Sequence, residues 1–154
     1  MPRLAHLAAG VVAPLCIAVF FVATVLVELF GSPAAIAQLK AWIVTPGLWI
    51  LIPALAATGG SGAFLARSRR GRLVGAKRKR MAWIAANGLL VLLPSALLLD
   101  RWAAAGEFGA AFVAVQALEL AAGALNLALI GLNFRDGLRL SGRLRGAPRP
   151  APQA

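Results

Sequence analysis

Long apolar stretches with almost no charge constrain this chain more than any other feature. Residues 7–30 hold no acid or base until Glu28, 41–66 and 81–99 hold none, and 108–134 hold only Glu119. A helix rising ~1.5 Å per residue needs about 20 apolar residues to cross the hydrocarbon core of a bilayer. Each stretch is near or above that length, and the longer ones fit by tilting. Lipid offers no hydrogen bonds to the backbone, so only helices and closed barrels span it. These runs are continuous, whereas barrel strands alternate apolar and polar residues. The expected fold is therefore an all-α integral membrane protein. Helices over about 7–30, 41–66, 81–102 and 108–134 form one domain, 1–145, as an up-down-up-down bundle of four transmembrane helices.

Charge supports this division. Only 14% of the residues are charged and 60% are hydrophobic, where a water-soluble domain carries about a quarter charged residues. The net charge of +11 is concentrated on one side. With alternating spans, the N-terminus, the loop 67–80 and the C-terminal region share a face that holds fourteen of the sixteen bases, and the other face keeps Lys40 and Arg101. Bases resist translocation, so the rich face is expected to be cytoplasmic, with both termini inside. Alanine- and arginine-rich usage fits a GC-rich bacterial genome and makes the bacterial inner membrane the expected location. Ala35-Ile36-Ala37 has the small residues of a signal-peptidase site. The apolar run before it nevertheless exceeds the roughly 7–15 residues of a secretory core, and the first segment is expected to remain as a helix.

The single cysteine, Cys16, and single histidine, His6, exclude an intramolecular disulfide and a bis-histidine haem or His-based metal site within one chain. No nucleophile–base pair stands out, so neither enzyme activity nor a cofactor is expected. The loop bases Arg67, Arg69, Arg70, Arg72, Lys77, Arg78, Lys79 and Arg80 are expected to set topology and to contact anionic lipid headgroups. No aromatic lies among them, which argues against nucleic acid as a partner. Trp42 and Trp102 are expected at the outer ends of their helices and Trp83 at an inner end. The segment 135–145 is expected on the headgroups, and the proline-rich tail 146–154 is expected to be disordered.

Polar residues within the spans are where function leaves a trace, because such groups are unfavourable in lipid and turn toward protein. Gln116, Glu119, Gly123, Asn126 and Asn133 recur at helical spacing and define one face of the fourth helix. Glu119 lies deep and has two readings: a proton- or cation-handling carboxylate, or a protonated side chain bonded to a neighbouring helix. No second charge is expected at its depth. Asn87 and Asn126 stand at matching depth and are placed to bond across two helices. Together these residues form a candidate polar path. Glu28, at a helix end, is expected to pair at the surface with Lys40 or Arg101. Pro46, Pro53 and the run Gly59-Gly60-Ser61-Gly62 make the second helix the candidate for a break, most of all at Pro53, Gly59, Gly60 and Gly62.

Gly59-Gly60-Ser61-Gly62-Ala63 leading to Arg67 resembles the glycine-rich segment of fluoride channels. That family carries the segment in its first helix, so no site residue is transferred. The function expected from the residues alone is a non-catalytic accessory, assembly or structural membrane component, as a homo-oligomer or within a larger complex. The alternative is a small proton- or ion-linked transporter or channel subunit using Glu119.

Overall fold

The computed structural model describes residues 2–65 and 72–140. All regular structure among them is helical: α1 (Pro2–Phe30), α2 (Pro33–Trp42), α3 (Leu48–Leu65), α4 (Arg72–Asn87), α5 (Leu93–Ala104) and α6 (Ala110–Leu140). Five-residue π turns join α2 to α3 at Ile43–Gly47 and α4 to α5 at Gly88–Leu92. The result is four rods, Gly10–Phe30, Pro33–Ser61, Gly75–Ala104 and Ala110–Leu138, each long and apolar enough to cross a membrane.

The second rod begins at Pro33, eight residues before the expected start at 41. Ser32 is extended (φ −86°, ψ 162°) and its hydroxyl accepts a hydrogen bond from the Ala35 amide at 3.2 Å. Pro33 follows as the first helical residue, where its missing N–H is no loss and its fixed φ suits the helix. The third rod likewise starts early. Residues 72–80, expected as loop, are helical in α4, in keeping with the good helix propensity of Arg, Lys, Leu and Ala. The fourth continues past 134 to Leu140, so the first part of the expected headgroup segment is helix despite Gly137. Arg67, Arg69 and Arg70, the remainder of that segment and the tail 146–154 lie outside the described residues.

The break in the second rod also differs from expectation. Thr45 is extended (φ −139°, ψ 112°) and its bond to Pro46 is cis, so the interruption falls one proline earlier than Pro53. Pro53, Gly59, Gly60 and Gly62 all lie inside α3. Freed backbone groups inside lipid need internal partners, which favours an unbroken ladder through the glycines. Thr58 donates to the Ala54 carbonyl at 2.8 Å and Ser61 to that of Ala57, so both hydroxyls stay on their own helix. In the third rod, the π turn at Gly88–Leu92 directly precedes Pro94, whose ring and missing N–H disturb the turn before it.

Two glycines bring the rods together. A Cβ on Gly47 would lie 2.6 Å from the Phe20 ring and 2.9 Å from the Trp42 carbonyl, and one on Gly123 would lie 3.3 Å from the Phe21 ring. α1 thus presses neighbouring phenylalanines onto the second and fourth rods. It packs on α3 and α6, α2 packs on α5, and α6 meets α1, α4 and α5. An apolar cluster of Leu99, Ala103 and Phe112 closes the end where α5 turns into α6, with Ile36, Ala37, Trp102 and Phe108 around it.

The distribution of side chains inverts that of a water-soluble core. Val11, Leu15, Val19, Val22, Leu26 and Leu29 form an exposed stripe on α1, and Trp49, Leu90, Val113 and Phe134 are exposed on other rods. Thr24, Lys40, Ser95, Gln116, Asn126, Asn133 and Asp136 are buried. Apolar groups outside and polar groups inside suit an apolar solvent. Trp42 is exposed nine residues into its rod, so it does not mark a rod end as expected.

Candidate functional site: a polar seam on α6

α6 turns Phe112, Gln116, Glu119, Gly123, Asn126, Asn133 and Asp136 toward its neighbours, at the three- and four-residue steps of one helix face. The polar members of this face meet other rods at three depths. Counted at 1.5 Å per residue from the α5–α6 turn, these depths are roughly 14, 24 and 39 Å along α6.

At the first depth Lys40 Nζ lies 2.8 Å from Glu119 Oε2, with the lysine 1% exposed and the glutamate side chain 13% exposed. Gln116 Nε2 donates to the same oxygen at 3.1 Å. Lys40 stands seven residues after Pro33, or about 10 Å into its rod, a depth that matches Glu119. The expectation that Glu119 lacks a charged neighbour at its own depth is therefore corrected. It followed from starting the second helix at 41, which left Lys40 in a loop. Ser32-Pro33 is the signal that corrects the start.

Glu28 is also placed differently from the surface pair expected for it. Among the described residues no ion pair joins it to Lys40 or Arg101, and its Oε1 is buried without a hydrogen-bond partner. On α1 it stands two turns from Phe21, whose ring lies against Gly123, itself two turns from Gln116 on α6. Gln116, 5% exposed, leaves its own Oε1 buried and without a partner.

At the second depth Asn87 Nδ2 donates to Asn126 Oδ1 and to the Ala122 carbonyl, both at 2.9 Å. Asn126 donates in turn to the Ile84 carbonyl at 3.5 Å. These bonds tie α4 to α6 with side chains that a purely apolar contact would leave unsatisfied.

At the third depth Arg80 Nη1 lies 2.6 Å from Asp136 Oδ2 and 3.5 Å from Asn133 Oδ1. Asp136 is 2% exposed, and Arg135 approaches its other oxygen at 3.8 Å. Arg80, expected among the lipid-facing bases, instead has its guanidinium on α6. Lys77, Arg80, Ile84 and Asn87 share one face of α4, while Arg78, Lys79 and Trp83 are exposed. Asp136 lies beyond the expected end of the fourth helix at 134 and within α6, which runs to Leu140. It continues the spacing of Asn126 and Asn133 by one further turn.

The seam thus joins Glu119, Gln116, Asn126 and Asn87, the expected path, to Lys40, Arg80 and Asp136, while Pro53, Gly59 and Gly60 lie in α3, whose packing partner is α1. Chemically it offers two ion pairs between rods, a third within α6 from Arg135 to Asp136, an amide pair and, among the described residues, three buried side-chain atoms without a hydrogen-bond partner, Glu28 Oε1, Gln116 Oε1 and Asn133 Nδ2. No protein-family model, curated protein or solved structure matches this chain.

Proposed function

We propose that this chain is a non-catalytic, multi-pass component of a bacterial inner membrane, an accessory, assembly or structural unit that works by packing its helices. The observation that carries this reading is the seam itself. Each inward polar layer of α6 is matched by a partner on another rod: Lys40 for Glu119, Asn87 for Asn126, Arg80 for Asp136. Polar groups bonded in this way hold rods together in lipid, where hydrophobic attraction between helices is lost. In this reading the four spans alternate up and down, with both termini and the basic hairpin in the cytoplasm, which the position of fourteen of the sixteen bases along the sequence supports. Arg78 and Lys79, exposed on α4, contact anionic headgroups together with the loop bases. The partners are the bilayer and other membrane subunits, including further copies of the chain. Neither nucleic acid nor a cofactor has a role.

A second reading, a small proton- or ion-linked transporter or channel subunit, is favoured by one observation: the buried, unpartnered Oε1 atoms of Glu28 and Gln116 beside a buried ion pair. Flux measurements in proteoliposomes separate the two. Under the packing role, vesicles holding the protein dissipate a pH or potassium gradient no faster than empty ones. A gradient dissipated by wild type and maintained by the paired variant Lys40→Met/Glu119→Leu establishes transport and overturns the packing role.

A further inference from the structure

We propose that Glu28, Lys40, Glu119 and Gln116 form a binding site for one proton, held by Glu28, at the junction of α1, α2 and α6. This goes beyond a packing role, since it makes one joint between rods responsive to pH. The charge count comes first. Two carboxylates and one ammonium, all ionised, leave one net negative charge in a poorly solvated place, and a single added proton makes the cluster neutral. Isolated charge is strongly disfavoured there.

Hydrogen bonding points the same way. Glu119 Oε2 receives a hydrogen bond from Lys40 at 2.8 Å and another from Gln116 at 3.1 Å. Glu28 Oε1 and Gln116 Oε1 are buried acceptors with no donor. Gln116 is anchored in the cluster through its other amide atom, so its unpartnered oxygen lies within that cluster too. The N–H groups of Lys40 and Gln116 are bonded to Glu119 and to neither of these two oxygens. A proton on Glu28 turns its carboxylate into a neutral group with an O–H donor of its own.

The surrounding charges do not supply an alternative. α1 carries only Arg3 and His6 besides Glu28, both in its first turns, and α2 carries only Lys40. α5, which packs against α2 and α6, brings half-buried Asp100 and exposed Arg101, and exposed Glu107 lies in the following turn. Other charges on α6 begin at Arg135, more than four turns from Glu119. With Glu28 neutral, Lys40 stays on Glu119 as observed. When the proton leaves to bulk water, the two carboxylates compete for the single ammonium, and α1 is drawn toward α2.

Infrared difference spectra of the detergent-purified chain, taken across a pH series, test this through the carbonyl stretch of a protonated carboxyl group. In a series that begins above the pH at which solvent-exposed carboxyl groups have ionised, wild type is expected to lose one such band per chain as pH rises, unchanged when sodium or potassium replaces choline in the buffer. Glu28→Gln removes the band, Glu28→Asp keeps it with a displaced midpoint, and Glu107→Gln leaves it as in wild type. The aspartate variant keeps the proposal testable should the glutamine variant lose its fold. A band that survives in folded Glu28→Gln, the absence of any titrating carboxyl band in wild type, or a midpoint that moves with sodium or potassium overturns it, the last assigning the site to a metal cation.

Discussion

Lys40 is the residue on which the interior depends most. Nearly all of its surface is covered and its ammonium has one carboxylate, Glu119, within 4 Å. Removing one member of a buried pair leaves the other charge uncompensated, which typically costs about 3–5 kcal/mol, whereas replacing both by apolar groups of similar volume is often close to neutral. Lys40→Met is therefore expected to destabilise the protein by about 3–5 kcal/mol in denaturant unfolding from detergent micelles, and Lys40→Met/Glu119→Leu to regain most of that loss. An equal loss in the single and paired variants contradicts the pairing. The asparagines make a smaller claim. Interhelical bonds in membrane proteins average about 0.6 kcal/mol, so a double-mutant cycle on Asn87→Leu and Asn126→Leu should show a coupling of about that size and no coupling between Asn87 and Glu119. Residue types and spacing on α6 make Gln116, Glu119, Asn126 and the bond of Asn126 to Asn87 legible in the sequence. Lys40 is not, because its role depends on where its helix begins.

At the scale of elements, a cap and two prolines decide the shape. Ser32 fixes the start of α2, and Ser32→Ala should lower stability by about 1 kcal/mol through loss of the bond to the Ala35 amide, read from the same unfolding measurement. Gly47 sets how closely α1 approaches the second rod. Gly47→Ala puts a methyl group against the Phe20 ring and the Trp42 carbonyl, and overpacking of this kind costs about 1–3 kcal/mol. Phe20→Leu in the same chain should recover part of that loss, since it relieves the ring but not the carbonyl; full recovery would show Phe20 to be the sole obstacle, and no recovery would show that it is not one. The existence and number of the apolar rods follow from runs of uncharged residues, which any reading of hydropathy recovers. Their limits do not. A run ends at the first charge, but a helix ends where its backbone bonds end, and Lys40 and Lys77–Arg80 lie inside helices. The break is subtler still. Pro46, Pro53 and the glycines all permit one, and only the close approach of Phe20 and Trp42 around Gly47 accompanies the site where the backbone departs.

Among the described residues polar side chains lie inside and large apolar ones outside, and alternating spans would gather fourteen of the sixteen bases on one side. That expectation comes from charge alone, whereas the partners across the seam require three dimensions, because they come from rods distant in sequence. The most direct measurement is accessibility of single cysteines in intact cells, in a Cys16→Ser background, to a maleimide that does not cross membranes. Ser32→Cys and Ala105→Cys should label from outside, and Gly75→Cys only after the cells are opened. Labelling of Gly75→Cys in sealed cells with protection of the other two, or release of the protein from membranes without detergent, would contradict four spans with a cytoplasmic basic face.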